Sequence, residues 1–329
     1  MAGKAAGRLP GLDTLRGIAA ASVMIFHATV VYDHGFGVGK AYLAVDFFFA
    51  LSGYVMARTY ETRFAAGMSW SVFLDARLSR LYPAMVIGGA FGLILLRQTM
   101  PDIWIEIAIL NMLMVPVLAG QNAFPLNIAA WSILFELIAN LLHHLVFRRT
   151  RTSTLVKALF PLGAILAMIA LPRGIDVGST PKTLMDALPR VLFSYTLGIV
   201  LWRWLGDKAP FWLPQWLTFA ALPAYFAGIW ALDVESGWAD LLFIFLISPL
   251  VLSAGLSAAG GRLGEYLGAL SFPLYAIQFP VLQLLHRWGY SVAAGVALCV
   301  LIAIGVTAAL ATTRRLGGWF GPRLATAAK

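Results

Sequence analysis

A few residues of this chain have the types and spacing to do chemistry. Arg16 and His27 are 11 residues apart. A helix turns about 1100° over that distance, roughly 20° past three full turns, and rises about 16 Å. The two therefore share a face, with the imidazole well above the guanidinium. Asp13 lies one turn below Arg16 and can pair with it. Asp46 follows on the next apolar stretch, in Val45-Asp46-Phe47-Phe48-Phe49-Ala50-Leu51-Ser52-Gly53. A carboxylate beside an imidazole can fix its tautomer and stabilise its cation. A carboxylate at a helix start also gains from the positive end of the helix dipole, with no chemistry implied. Ser132, Glu136, Asn140 and His143 recur at i, i+4, i+8 and i+11, one polar stripe along an otherwise apolar helix. His143 and His144 fall toward one end of it, where interfacial solvation accounts for them. Arg77 and Arg80 precede Tyr82-Pro83. Guanidinium groups suit bidentate phosphate contacts, of a polyanionic ligand or of anionic lipid headgroups. For Arg16 and His27 the bland reading is an interfacial anchor and a hydrogen-bonded core histidine.

The surroundings make these residues conspicuous. The chain has 329 residues, 60% hydrophobic and 12% charged. Soluble domains carry roughly 25% charged residues. The single Cys299 permits no intrachain disulfide and leaves a cysteine-based metal cage without ligands. No metal site is expected. The composition excludes a soluble enzyme, a coiled coil and a disordered chain. It points to an all-α, polytopic integral membrane bundle, with Trp, Tyr and Phe for interface belts.

A crossing helix needs about 20 apolar residues. Ten stretches qualify, at roughly 14–32, 41–58, 82–97, 127–147, 156–172, 186–204, 215–232, 239–257, 267–286 and 291–312. An eleventh, 103–119, holds Asn111 and Pro116 and reads as a short membrane-dipping piece; if it crossed, every later span would flip. The connection 59–81 spaces Trp70, Phe73, Leu74, Leu78 and Leu81 against Arg77 and Arg80, the pattern of an amphipathic helix on the cytoplasmic face. With a cytoplasmic N-terminus, eighteen of the 24 basic residues fall on the inner face, from Lys4 and Arg8 to Arg323 and Lys329. Six fall outside: Lys40, Arg97, Arg173, Lys182, Arg190 and Arg287. That bias follows the positive-inside rule, so the net charge of +9 is a topology signal and not a nucleic-acid footprint. The expectation is a multi-pass protein of the inner (plasma) membrane with both termini cytoplasmic. It would be a single domain over 1–329 with no fused soluble domain and no cleaved signal peptide.

Four of these stretches together resemble the membrane-bound acyltransferase-3 family. They are Arg16 through Phe26-His27; Val45-Asp46-Phe47-Phe48-Phe49-Ala50-Leu51-Ser52-Gly53-Tyr54; Arg77-Leu78-Ser79-Arg80-Leu81-Tyr82-Pro83; and Trp131-Ser132-Ile133-Leu134-Phe135-Glu136. The stretch from Leu267 to Pro280 is similar to a fifth family element. Ala44 stands where the family usually has Gly, and Gln278 where it commonly has His. Gln hydrogen-bonds but does not shuttle a proton near neutral pH.

The resemblance implies acyl transfer from cytoplasmic acyl-CoA, usually acetyl-CoA, to a hydroxyl of a carbohydrate such as an exopolysaccharide, a lipopolysaccharide or a lipid-linked glycan. Acyl-CoA is then a donor substrate and no cofactor is held tightly; membrane lipids are the other partner. Carried onto this chain, it makes His27, Asp46 and Glu136 catalytic candidates and Arg16, Arg77 and Arg80 the donor-binding set. His27 would act as general base on the acceptor hydroxyl or as a nucleophile forming an acyl-imidazole. Asp46 would orient the ring, and Glu136 would position the acceptor or stabilise a proton. The competing readings are a glycan or lipid transporter or flippase, for which no internal repeat is evident, and a structural subunit of a polysaccharide machine.

Overall fold

The computed structural model describes residues 7–35 and 37–315. Lys4, Arg323 and Lys329, counted above toward topology, lie outside the described residues. The chain order is α1 (Pro10–Tyr32), a 3-10 turn (Ala41–Leu43) leading into α2 (Ala44–Ala65), α3 (Trp70–Thr99), α4 (Trp104–Met112), α5 (Ala130–Leu145), α6 (Thr152–Arg173), α7 (Ala187–Leu205) and α8 (Gln215–Ala231). Then come α9 (Gly237–Leu242), a π turn (Phe243–Ile247) and α10 (Ser248–Gly255) as one column, α11 (Gly261–Arg287) and α12 (Val292–Arg315). No strand occurs among the described residues. The chain is an all-helical polytopic membrane bundle.

The ten long columns coincide with the ten apolar stretches. Eight are long and apolar enough to cross a membrane by length and composition; α7 and α8 fall short. α7 carries Arg190 and Arg203, and α8 has 17 residues. The packing directions decide both. α1 and α11 run parallel: Arg16 meets Gly268 and Ser271, His27 meets Phe279, and Tyr32 meets His286. α2 and α7 are parallel too, from Asp46–Arg190 at one end to Arg58–Asp207 at the other. Parallel pairs need an odd number of crossings between them. For α2 and α7 these are α3, α5 and α6. α7 follows α2 end to end, so it crosses, and α8 must then cross to leave α11 parallel with α1. The same parity keeps α4 from crossing. Its 9 residues are about 14 Å long, half of a hydrocarbon core about 30 Å thick.

Glycine sets the closest contacts. A Cβ on Gly53 would strike the Tyr195 carbonyl, and one on Gly198 the Ala50 carbonyl, so α2 and α7 touch backbone to backbone. Gly17 does the same for α1 against Leu267 of α11. Exposed Trp204, Trp212 and Trp216 ring one end of the bundle, and Trp230, Trp238 and Trp288 the other. They match the two interfacial belts.

One expectation is corrected. The segment 59–81 is not a separate amphipathic helix. Its first residues extend α2, a short turn follows, and Ser69 caps α3, its hydroxyl accepting from the Val72 N–H at 3.4 Å. α3 then runs unbroken through Pro83 to Thr99. Phe73, Arg77 and Leu81 are buried against the bundle. The periodicity was real, but the apolar face found protein and not a lipid surface.

Candidate active site

Five helices converge on one cavity of about 100 Å³. α1 contributes Arg16, α2 Phe48 and Ser52, α3 Arg77 and Arg80, α5 Ser132 and Glu136, and α11 Ser271 and Tyr275. All the sequence stretches singled out above meet here. The Glu136 carboxylate is the hub. Its Oε1 accepts from Arg77 Nη2 at 2.5 Å and from Ser52 Oγ at 2.8 Å. Ser132, one turn earlier on α5, shares a 2.7 Å hydrogen bond with the Tyr275 hydroxyl. Arg16 donates through Nε to Ser271 Oγ at 2.9 Å and through Nη2 to the Gly268 carbonyl at 2.5 Å, with Asp13 3.3 Å away. Arg80 lines the same cavity, is exposed, and makes no hydrogen bond or ion pair to any described residue. Three guanidinium groups thus face one carboxylate inside. The cavity attracts anions, and its free cation is at the mouth. It is smaller than the roughly 300–1,000 Å³ that engulfs a whole small molecule. A narrow chain fits it.

His27 does not line the cavity. Its ring packs edge-on against Phe279 at 5.1 Å, one turn along α11 from the cavity residue Tyr275. Its Nδ1 is buried with no partner among the described residues. Arg16 and His27 are both on the unbroken α1, so their spacing keeps them on one face; Tyr275 lines the cavity, and Phe279, four residues on, lies against His27.

Asp46 does not pair with His27, contrary to expectation. Both its oxygens are taken by Arg190, at 3.0 and 3.1 Å from Nε and 2.7 Å from Nη2. Arg190 also donates to the carbonyls of Val177 and Tyr42. Both side chains are fully buried. The short α1–α2 connection fixed their common depth, but not the direction each side chain faces. α2 packs mainly on α7, and α1 mainly on α11. Arg190, counted among outer-loop charges, is instead an intramembrane cation. An arginine four residues into an apolar helix, with an acid at similar depth elsewhere, was the available signal.

Glu136 faces the interior, as its polar stripe requires. Further along, Tyr195 donates to Asn140 Oδ1 at 3.0 Å and bonds His143 Nδ1 at 3.1 Å. His143 Nε2 lies 3.5 Å from Glu61, which Arg203 holds at 2.6 Å. His143 is therefore a core residue, and solvation at an interface does not account for it. Among the described residues no His, Cys, Asp and Glu group could hold a metal.

The acyltransferase-3 family, described as an acyltransferase domain, matches residues 9–314. The chain belongs to the acyltransferase-3 family. The match takes in every residue of the cavity, so this membrane bundle is itself the acyltransferase domain. "Protein 2 in picA locus" of Rhizobium radiobacter is 43% identical over 77 residues, which is 23% of this chain and 39% of that protein. The chain thus covers well under half of that relative. No solved structure matches.

Proposed function

We propose that the protein transfers an acyl group, most simply acetyl, from acyl-CoA to a hydroxyl of a carbohydrate at the inner (plasma) membrane. The observation that carries this reading is the cavity with Arg16, Arg77 and Arg80 around one carboxylate, below a buried histidine on the same helix face. CoA pairs a polyphosphate end with a long thin arm. Arg80, without a protein partner, is the natural first contact for phosphate, and Arg16 and Arg77 extend the positive field. The arm enters between α2 and α11 and passes Tyr275 and Phe279 toward His27. The rise of about 16 Å from Arg16 to His27 sets the reach required. The excess of basic residues on the Arg80 face supports a cytoplasmic mouth and cytoplasmic termini.

At the reacting end, His27 takes the proton of the acceptor hydroxyl as its oxygen adds to the thioester carbonyl carbon. The new C–O bond forms, the C–S bond breaks, and the proton passes from the imidazolium to the departing thiolate. Glu136 holds Arg77 in place. Asp46 acts through Arg190, fixing the start of α2 against α7, and is a positioning residue in this scheme. Purified protein in lipid nanodiscs, given radiolabelled acetyl-CoA and glycan acceptors, should release CoA only with acceptor present and label the glycan. A transporter consumes no acetyl-CoA, so transport without turnover would refute the assignment. Labelled enzyme trapped on His27 without acceptor would replace the direct step by an acyl-imidazole.

A further inference from the structure

At one height of the seam between α1 and α11, two polar side chains carry buried atoms that no described residue bonds; the Tyr32 hydroxyl, unbonded too, lies further along the seam beside His286. One is His27, through Nδ1. The other is Gln278, which is 0% exposed and has neither Oε1 nor Nε2 hydrogen-bonded. Gln278 lies seven residues beyond Ser271, two turns less about 20°. It therefore shares the face that Ser271 turns to Arg16 of α1. The next residue, Phe279, packs on the His27 ring. Gln278 and His27 are thus at one height of a parallel helix pair, about 10 Å beyond Ser271 at the cavity wall.

The local backbone is prepared for this position. Pro280 has no N–H, which releases the Ala276 carbonyl from the helix ladder. Asn127 Nδ2 caps that carbonyl at 2.7 Å, and Gly88 of α3 lets the neighbouring backbone come close. The turn carrying Gln278 is pinned from the side away from α1. A buried carboxamide with both atoms unbonded weakens a fold, whereas Leu or Met in its place does not. Packing therefore gives no reason for Gln278.

We propose that Gln278 is a substrate-binding residue whose Nε2–H donates to the carbonyl oxygen of the acyl thioester beside His27. This rests on the acyl-CoA reading above. The amide is neutral and does not compete with His27 for the proton. As the acceptor oxygen adds, negative charge grows on the carbonyl oxygen, and a fixed donor stabilises it there. The electron pair then expels the thiolate, and Gln278 is unchanged.

The test uses two unreactive donors and the full-length protein in nanodiscs. One is the ketone analogue of acetyl-CoA with CH2 in place of sulfur; the other is S-ethyl-CoA, which lacks the carbonyl. Wild type should bind the ketone about 3- to 10-fold more tightly, the worth of one hydrogen bond. Gln278→Met should erase that preference, bind S-ethyl-CoA as wild type does, and keep or raise thermal stability. Its kcat should fall by about 100-fold, and its KM for acetyl-CoA should rise by no more than the about 3- to 10-fold lost with the ground-state hydrogen bond. Gln278→Leu provides the same comparison should the Met variant fold poorly. A preference retained in the variants, or a loss of stability with normal turnover per folded molecule, overturns the assignment. Failure of wild type to bind either analogue overturns the acyl-CoA reading itself, and this role with it.

Discussion

Replacing Asp46 separates a positioning role from a role at the reacting atoms. Asp46→Leu leaves Arg190 fully buried, with only the Val177 and Tyr42 carbonyls, at 3.1 and 3.2 Å, as hydrogen-bond partners and the Trp131 and Tyr42 rings beside it. Breaking a buried ion pair from one side costs roughly 3–5 kcal/mol. That is more than a hundredfold in the folded ratio, at about 1.4 kcal/mol per factor of ten. In a chain of this size it corresponds to a fall of about 5–15 °C in the midpoint of thermal inactivation. The double variant Asp46→Leu/Arg190→Met replaces both charges by hydrocarbon, an exchange that is often neutral or stabilising. It should recover most of the lost stability. The assay is heat inactivation in nanodiscs, followed by acyl transfer per folded molecule at low temperature. Because both Asp46 oxygens are taken by Arg190, folded double variant should turn over at close to the wild-type rate. Recovered stability with lost turnover would place Asp46 at the reacting groups and refute this reasoning. A single variant as stable as wild type would refute the energetic half of it.

His27→Ala should lower transfer by about 10²–10⁴-fold, the usual worth of a positioned general base, with donor binding unchanged when measured with the ketone analogue. Arg80→Ala should weaken donor binding about tenfold and leave stability unaltered, since Arg80 has no partner in the described chain. Arg77→Ala should also destabilise the protein, because it strips Glu136 of its 2.5 Å ion pair; equal stability in the two variants would contradict this division. Lys182→Cys should react with a membrane-impermeant maleimide added from outside intact cells, with no background from the buried Cys299. Reaction only after the membrane is opened would invert the topology.

Much of the fold was legible in the sequence because a bilayer makes helices easy to read. Each column must be about 20 apolar residues long, so the ten columns stand where the apolar stretches do. The site was legible for the same reason: an ionisable group in an apolar helix is expensive and stands out. Arg16, Arg77, Arg80 and Glu136 were all visible, and the structure brings them to one cavity. What the spacing left open was direction around each helix. Nothing in a one-dimensional pattern says whether Asp46 faces His27 or Arg190, because that depends on which helix packs where.

The sequence alone determined the class of protein, the number and placement of its ten long columns, and the polar residues that break the apolar background. Only tertiary structure decided their partners. Gly53 and Gly198 let α2 and α7 touch, and that contact commits Asp46 to Arg190. The α1–α11 pair, parallel and close at Gly17, leaves His27 and Gln278 at one height with polar atoms that no described residue bonds. Hydropathy is summed along the chain, whereas a buried charge or amide is satisfied only across helices. The chemistry was therefore visible in sequence as a set of residues, and became a site only through packing.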